Sequence, residues 1–260
     1  MPKVSLIIST YNWPKALSLC LQSVMRQSRM PDEIIVADDG SRDETRALIE
    51  QFAASSPVPL RHVWHEDDGF RKAIIFNRSV AAATGDYIIE IDGDIVVNEN
   101  FVADHLRVAE PGAFVCGSRV ILGEELSAKL LSRPLNIPSM WARGLHNRLN
   151  AMRSGLLSWL MSHKPAKVCR GCNVAYWRSD FIAVNGYNED MKGWGSEDAE
   201  LYIRLCNSGL RPRALKHRAL AYHIYHREAS RENVDANYAL QQRACEEALV
   251  RCENGIAKYL

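Results

Sequence analysis

Four short apolar runs near the start of the chain, separated by stretches with helical spacing, constrain the fold more than any other feature. Val4 to Ser9 is nearly continuous in apolar residues, the pattern of a strand buried on both faces. Glu33 to Ala37 is the second run, His62 to His65 the third, and Tyr87 to Asp92 the fourth. Between them, Asn12 reads as the cap of a helix with Pro14 at its start and a stripe of Leu17, Leu21 and Val24. Ser41 and Glu44 match a capping box for a helix through Ala54, and Phe70 to Ala83 reads as a helix that stops at Gly85. This order predicts an α/β fold with a mostly parallel sheet and helices on both faces.

Ligands of such sheets bind beyond the carboxyl ends of the strands. Thr10-Tyr11-Asn12, Asp38-Asp39 and Asp92-Gly93-Asp94 all fall at those ends. Taken singly, each reads as a turn or a cap. Together on one rim they describe a polar site. Two carboxylates flanking a glycine at the end of an apolar strand suit a hard divalent cation, Mg²⁺ or Mn²⁺. Neither a Gly-x-Gly-x-x-Gly after the first strand nor a Gly-x-x-x-x-Gly-Lys is present, so phosphate held here would rely on metal rather than on a glycine cradle.

The second half adds two further groups. Gly193-Trp194-Gly195-Ser196-Glu197-Asp198 precedes a helical stripe of Leu201, Ile203 and Leu205, with Ser196 as a candidate N-cap. Acids in a first turn favour the helix dipole by about 0.3–1 kcal/mol, which alone explains Glu197 or Asp198. It does not explain a Trp between two glycines. An aromatic face beside a carboxylate is what a carbohydrate site needs, one part to stack and one to take a proton. Ala221 to His226 alternates as a strand would, and His223 and His226 extend the metal preference toward Mn²⁺.

With 260 residues and 47% hydrophobic content, the chain can bury a large core as one big domain or two small ones. A net charge of +1 points to no particular partner, and no nucleic acid is expected. Seven cysteines, an odd number without a regular framework, predict a reduced cytosolic setting, with Cys169 and Cys172 as ordinary small residues. Met-Pro-Lys followed directly by a strand is not a signal peptide, and no run is long enough to span a membrane. Residues 126 to 179 hold nine Lys or Arg and no acid. Within them Trp141, Leu145, Leu149, Met152, Leu156 and Leu160 recur at helical spacing, with Arg143, Arg148 and Arg153 between. Two readings stand side by side. One is a basic amphipathic helix through 126–170 that meets a membrane surface or an anionic, lipid-linked acceptor. The other is a helix packed on the domain with a solvated basic face. Val234 to Tyr259 is helical in pattern and reads as packing on the domain or as a dimer contact.

Ser9-Thr10-Tyr11-Asn12, Asp38-Asp39-Gly40-Ser41, Gly69-Phe70-Arg71, Asp92-Gly93-Asp94, the Gly-Trp-Gly-Ser-Glu-Asp segment and His223-Ile224-Tyr225-His226 occur in the order seen in family-two glycosyltransferases. The chain resembles that family over roughly residues 3 to 228, and its second half is similar to the C-terminal part of β-1,4-galactosyltransferases and of bacterial chondroitin polymerase. The resemblance implies a GT-A fold in which residues 1–95 bind the nucleotide sugar, 96–228 bind the acceptor and catalyse, and 229–260 form a helical tail. It implies inverting transfer of a hexose or N-acetylhexosamine from a UDP-sugar to a saccharide acceptor in bacterial lipopolysaccharide or capsule synthesis, in the cytoplasm and, if the basic helix meets a membrane, at its cytoplasmic leaflet. Thr10, Tyr11 and Asp39 would line the uracil and ribose pocket, with Arg71 reaching base or ribose and Asp92 contacting ribose or metal. Asp94 would be the principal ligand of Mn²⁺ (or Mg²⁺), joined by His226, and by His223 where the galactosyltransferases have a methionine. Trp194 would stack on a sugar, Glu197 would bond an acceptor hydroxyl, and Asp198 would be the general base. Asn173, in Gly171-Cys172-Asn173, would sit beside the donor sugar. The rival readings are a nucleotidyltransferase, whose Gly-rich basic loop is missing at Thr10-Tyr11-Asn12-Trp13, and a non-catalytic nucleotide-sugar-binding module, which has no need of Asp198.

Overall fold

The computed structural model describes residues 1–162, 164–226 and 232–260. Its first part follows the expected alternation: β1 (Val4–Thr10), α1 (Pro14–Val24), β2 (Glu33–Asp38), α2 (Asp43–Ser55), β3 (Leu60–Trp64), α3 (Lys72–Ala82) and β4 (Tyr87–Asp92). Then come β5 (Ile95–Val97), α4 (Phe101–Val108), β6 (Ala113–Gly117), β7 (Val120–Leu122), α5 (Glu124–Leu131), β8 (Leu145–His146) and α6 (Gly155–Ser162). The remainder is β9 (Val174–Trp177), α7 (Arg178–Ala183), α8 (Glu197–Asn207), β10 (Arg211–Leu215), β11 (Ala221–His223) and α9 (Val234–Glu246).

The main sheet has the order β10-β6-β9-β4-β1-β2-β3, parallel except for β9, which runs antiparallel to both neighbours. Alternate residues of β1 enter opposite cores. Leu6 and Ile8 pack with Leu17, Val24 and Ile49 from α1 and α2, while Ile7 packs with Ala73, Phe76 and Val80 from α3 and with Leu201 from α8. This double burial is why the run reads as continuously apolar. Each fully buried Leu or Ile contributes roughly 1.5–3 kcal/mol. A smaller sheet has the order β5-β11-β7-β8. Among the described residues no helix is long and apolar enough to cross a membrane.

Several local expectations are corrected by long-range contacts. Asn12 does not cap α1. It takes a left-handed conformation (φ 44°), its N–H donates to Ser41 Oγ at 2.8 Å, and its Oδ1 accepts the Arg42 N–H at 3.0 Å. Ser41 is thereby drawn away from the capping box, and Arg42 occupies the N-cap position of α2. Helix α3 ends at an Ala83 cap in extended backbone, two residues before Gly85. The continuous basic helix expected across Trp141–Leu160 is broken into β8, a 3-10 turn at Arg148–Ala151 and α6, because Gly144 and Asn147 are left-handed and Leu145 pairs with Leu122. The strand expected through His226 stops at His223. Cys169 is no ordinary small residue. It forms a disulfide with Cys116, their Cα atoms 5.1 Å apart, across a separation of 53 residues that carries no sequence signal. The boundary expected at 228/229 lies outside the described residues. Helix α9 packs against α8, and Ile256 beyond it is buried in the core with α3.

Helix α8 is anchored by a fully buried arginine. Arg204 takes both Glu200 oxygens at 2.8 and 2.6 Å and donates to the carbonyls of Val184 and Gly186 at 2.6 and 2.7 Å. Removing one partner of a buried pair leaves the other charge uncompensated. Arg204→Leu is therefore expected to lower the unfolding free energy by about 3–5 kcal/mol, read from the urea midpoint.

Candidate active site

The parallel register lays Thr10 beside Asp38 and Ser9 beside Asp92, so the polar ends of β1, β2 and β4 share one rim, as the sequence predicts. Above it opens a cleft of about 940 Å³. Thr10, Tyr11, Asp39, Asp92, Asp94, Trp194, Glu197, Asp198, His223 and His226 all line it. Two of the sequence-predicted residues do not. The Arg71 guanidinium lies in an adjoining shallower pocket of about 570 Å³ with Trp64 and Asp67, 3.1 Å from Asp68, and its side chain also donates to the Glu66 carbonyl. Asn173 is buried beneath the cleft. Its amide nitrogen donates to the Ser118 and Ala219 carbonyls, and its Oδ1 meets His105 at 2.9 Å.

Pairing of the small sheet assembles a three-residue cluster. Antiparallel β11 sets His223 opposite Ile95, the residue after Asp94, and the Ile224 N–H donates to the Asp94 carbonyl at 3.0 Å. Asp94 Oδ2 consequently lies 3.5 Å from His223 Nε2 and 3.2 Å from His226 Nε2. One atom from each of the three falls within 4.8 Å of the others. Burial pushes the His223 imidazole below its ordinary pKa, with Asp94 opposing, which favours the neutral ring that ligates metal. Asp94 Oδ1 is buried with no hydrogen-bond partner among the described residues. A buried carboxylate oxygen left unpaired is costly, and one oxygen with two imidazole nitrogens fits a divalent ion of the Mn²⁺ type.

Asp92 is engaged differently. Lys72 Nζ donates to its Oδ1 at 2.8 Å and Ser9 Oγ at 2.7 Å. Burial alone would raise the Asp92 carboxyl, but Lys72 and Ser9 hold it below its ordinary value. Burial likewise opposes the Lys72 charge, yet Asp92, Asp198, Glu90 and Glu197 together raise the ammonium well above its usual pKa. Sequence reading missed Lys72, because a lysine opening a helix after Gly-Phe-Arg carries no signal of a buried cation.

The Trp194 loop is held from two sides. The Gly193 N–H donates to the Phe70 carbonyl at 3.3 Å, and the buried Asn237 amide of α9 donates to the carbonyls of Lys192 and Gly195, both at 3.0 Å. Gly193 is left-handed (φ 71°), and a Cβ there would sit 2.6 Å from the Asn233 side chain, so the turn requires glycine. Ser196 is also left-handed and makes no side-chain cap. Glu197 Oε2 accepts the Gly195 N–H at 2.9 Å, and burial followed by Asp198 raises its pKa. Asp198 Oδ2 accepts the Gly171 N–H at 2.8 Å. Its Oδ1 lies 3.4 Å from the Tyr187 hydroxyl, which donates to Glu90 at 2.6 Å. Gly171 separates the two carboxyls, since a Cβ there would lie 2.5 Å from Asp198 Oδ1 and 2.8 Å from Glu90 Oε1. Glu90, fully buried, was legible as an acid flanked by apolar residues on both sides within β4 but went unassigned, and Tyr187 and Asn237 carry no sequence signal.

The sequence pattern described as Glycosyl transferase family 2 matches residues 5–184, and that described as N-terminal domain of galactosyltransferase matches 157–227. The chain is 26% identical to chondroitin synthase of Escherichia coli over 242 residues, which are 85% of this chain and 34% of that protein. It thus spans about a third of that relative's length. Among solved structures it is similar to S. aureus TarS 1-349 in complex with UDP (TM-score 0.64, 16% identity, 99% of this chain and 68% of that one). It is also similar to the mannosyltransferase PcManGT from Pyrobaculum calidifontis in complex with GDP-Man and Mn²⁺ (TM-score 0.61, 18% identity, 95% and 72%).

Glu90 gives the site a pH signature. Burial, with Asp198 adding to it against Lys72, pushes its carboxyl from 4.5 up to about 8. Between those values the folded state keeps a proton that the unfolded chain loses, so stability falls as pH rises through this window. Glu90→Gln is expected to flatten that decline, a change on the order of a few kcal/mol, in unfolding curves compared at pH 5 and pH 8.

Proposed function

This chain belongs to glycosyl transferase family 2, has the GT-A fold and is a glycosyltransferase, and from that premise we propose that it moves a hexose or N-acetylhexosamine from a UDP-sugar to a saccharide hydroxyl with inversion, in bacterial surface polysaccharide synthesis. The observation that carries the proposal is the placement of the Asp94–His223–His226 cluster and the Asp198 carboxylate in one cleft, with Trp194 at its wall. Residues 1–95 supply the donor side, through Thr10, Tyr11 and Asp39. Residues 96–228 supply the acceptor side.

Asp94, His223 and His226 would hold Mn²⁺ or Mg²⁺, which when bound supplies positive charge against the leaving nucleoside diphosphate. Lys72 fixes Asp92 beside that cluster and adds a permanent cation to the floor. Trp194 offers an apolar face to a sugar ring. Glu197, with Oε2 committed to Gly195, has Oε1 for an acceptor hydroxyl. Asp198, held by the Gly171 N–H on Oδ2 and by the longer Tyr187 contact on Oδ1, takes the proton of the attacking hydroxyl as that hydroxyl adds to the anomeric carbon. A single displacement from the face opposite the diphosphate inverts the anomeric centre. A nucleotidyltransferase has no use for the Trp194 face. A binding module has none for a carboxylate held between Gly171 and Tyr187.

Asp198→Asn is expected to keep UDP binding and to lose about 10²–10⁴-fold in turnover with UDP-sugars and oligosaccharide acceptors. Transfer at the wild-type rate would remove Asp198 from the role of base. Mn²⁺ at about 100 times its dissociation constant should stabilise the wild type by about 2.7 kcal/mol. Asp94→Ala should show no such gain in melting temperature, and EDTA should abolish it in the wild type.

A further inference from the structure

In helix α6 Leu157 and Met161 are half-buried, and further apolar residues are left in water. Among its described positions the most shielded from water is Ser158, 2% exposed, whereas Leu156 and Trp159 are 69% and 60% exposed. Leu160, also exposed, completes an i, i+3, i+4 set on one face of the helix. A helix that packs on its own protein turns such a face inward, and a helix facing only water carries polar residues there. Trp141 and Leu149, in the segments leading to α6, are exposed as well. Single exposed apolar residues need no explanation, but several on one short stretch mark a contact surface.

The charges of the same stretch identify what it contacts. Residues 126–179 hold nine Lys or Arg and no acid. Arg153 is committed to Asp104 at 2.9 Å. Arg143, Arg148, Lys164 and Lys167 are exposed and enter no ion pair among the described residues. Apolar side chains including a tryptophan, ringed by cations, match a surface that is apolar within and anionic at its edge. A second copy of this chain is the wrong partner. A two-fold contact through this face would set the same cations against themselves.

We infer that α6 and the segments flanking it seat the protein on an anionic lipid bilayer, with Leu156, Trp159 and Leu160 entering the headgroup boundary and the free lysines and arginines meeting lipid phosphates. The inference is independent of the donor and acceptor assigned above, because the surface carries none of the residues given a catalytic role.

The test is cosedimentation of the full chain with mixed phosphatidylglycerol–phosphatidylcholine vesicles and with vesicles of phosphatidylcholine alone. The wild type is expected to pellet with the anionic vesicles and to be released by high salt. The triple variant Leu156→Ser, Trp159→Ser, Leu160→Ser should bind those vesicles about ten-fold more weakly or worse, at an unchanged melting temperature. Replacing Arg143, Arg148, Lys164 and Lys167 together by Gln should weaken binding comparably, by loss of the electrostatic part. Absence of wild-type binding to either vesicle, or equal binding by the triple variant, overturns the inference. So does a concentration-dependent dimer in sedimentation that the triple variant loses while vesicles bind neither protein.

Discussion

Four carboxylates, those of Asp92, Asp94, Glu197 and Asp198, line one cleft, a fifth, Glu90, is fully buried in the field of Asp198, and the structure there depends on how their repulsion is relieved. Lys72 does part of this directly, with its ammonium 2.8 Å from Asp92 and in the field of Glu90, Glu197 and Asp198. Protonation does another part, since burial and Asp198 raise both Glu90 and Glu197 into a range where they carry a proton near neutrality. Asp94 stands apart, its Oδ2 facing His223 and His226 and its Oδ1 buried without a partner among the described residues. The three solutions sort the acids by chemistry. A fixed cation keeps Asp92 ionised, desolvation favours the neutral form of Glu90, and Asp94 is left facing two imidazoles.

Four of the seven strands of the main sheet, β1 to β4, were legible, three of them because a strand buried on both faces leaves an unbroken apolar run; β6, β9 and β10 were not. The rim was legible for the same reason, since parallel strands align their polar ends. What escaped was whatever depends on partners far along the chain. Asn12 and Ser41 each have the chemistry of a helix cap, and each is spent on the other's loop instead. Leu145 fits a helical stripe, but pairing of β8 with β7 takes it for a strand. The Cys116–Cys169 disulfide and the saturated amide of Asn173 are likewise decided by neighbours that linear spacing does not bring together.

The three members of the metal-type cluster illustrate both sides. Asp94 belongs to the first half and the two histidines to the second, with more than a hundred residues between them. Their types were recognisable in the sequence. Their meeting rests on three backbone pairs between β5 and β11, and on the Ile224 N–H reaching the Asp94 carbonyl. The small sheet is thus the device that converts two separate motifs into one centre.

The grip of Asn237 on the carbonyls of Lys192 and Gly195 has a temporal meaning as well. A chain leaves the ribosome from its N-terminus, so the sheet, the carboxylate rim and even the Trp194 turn can form while α9 is still unsynthesised. The turn that carries Trp194 and leads into Asp198 gains its clamp only after residue 237 has emerged. A nascent chain can therefore acquire its sheet before the turn that carries Trp194 is clamped.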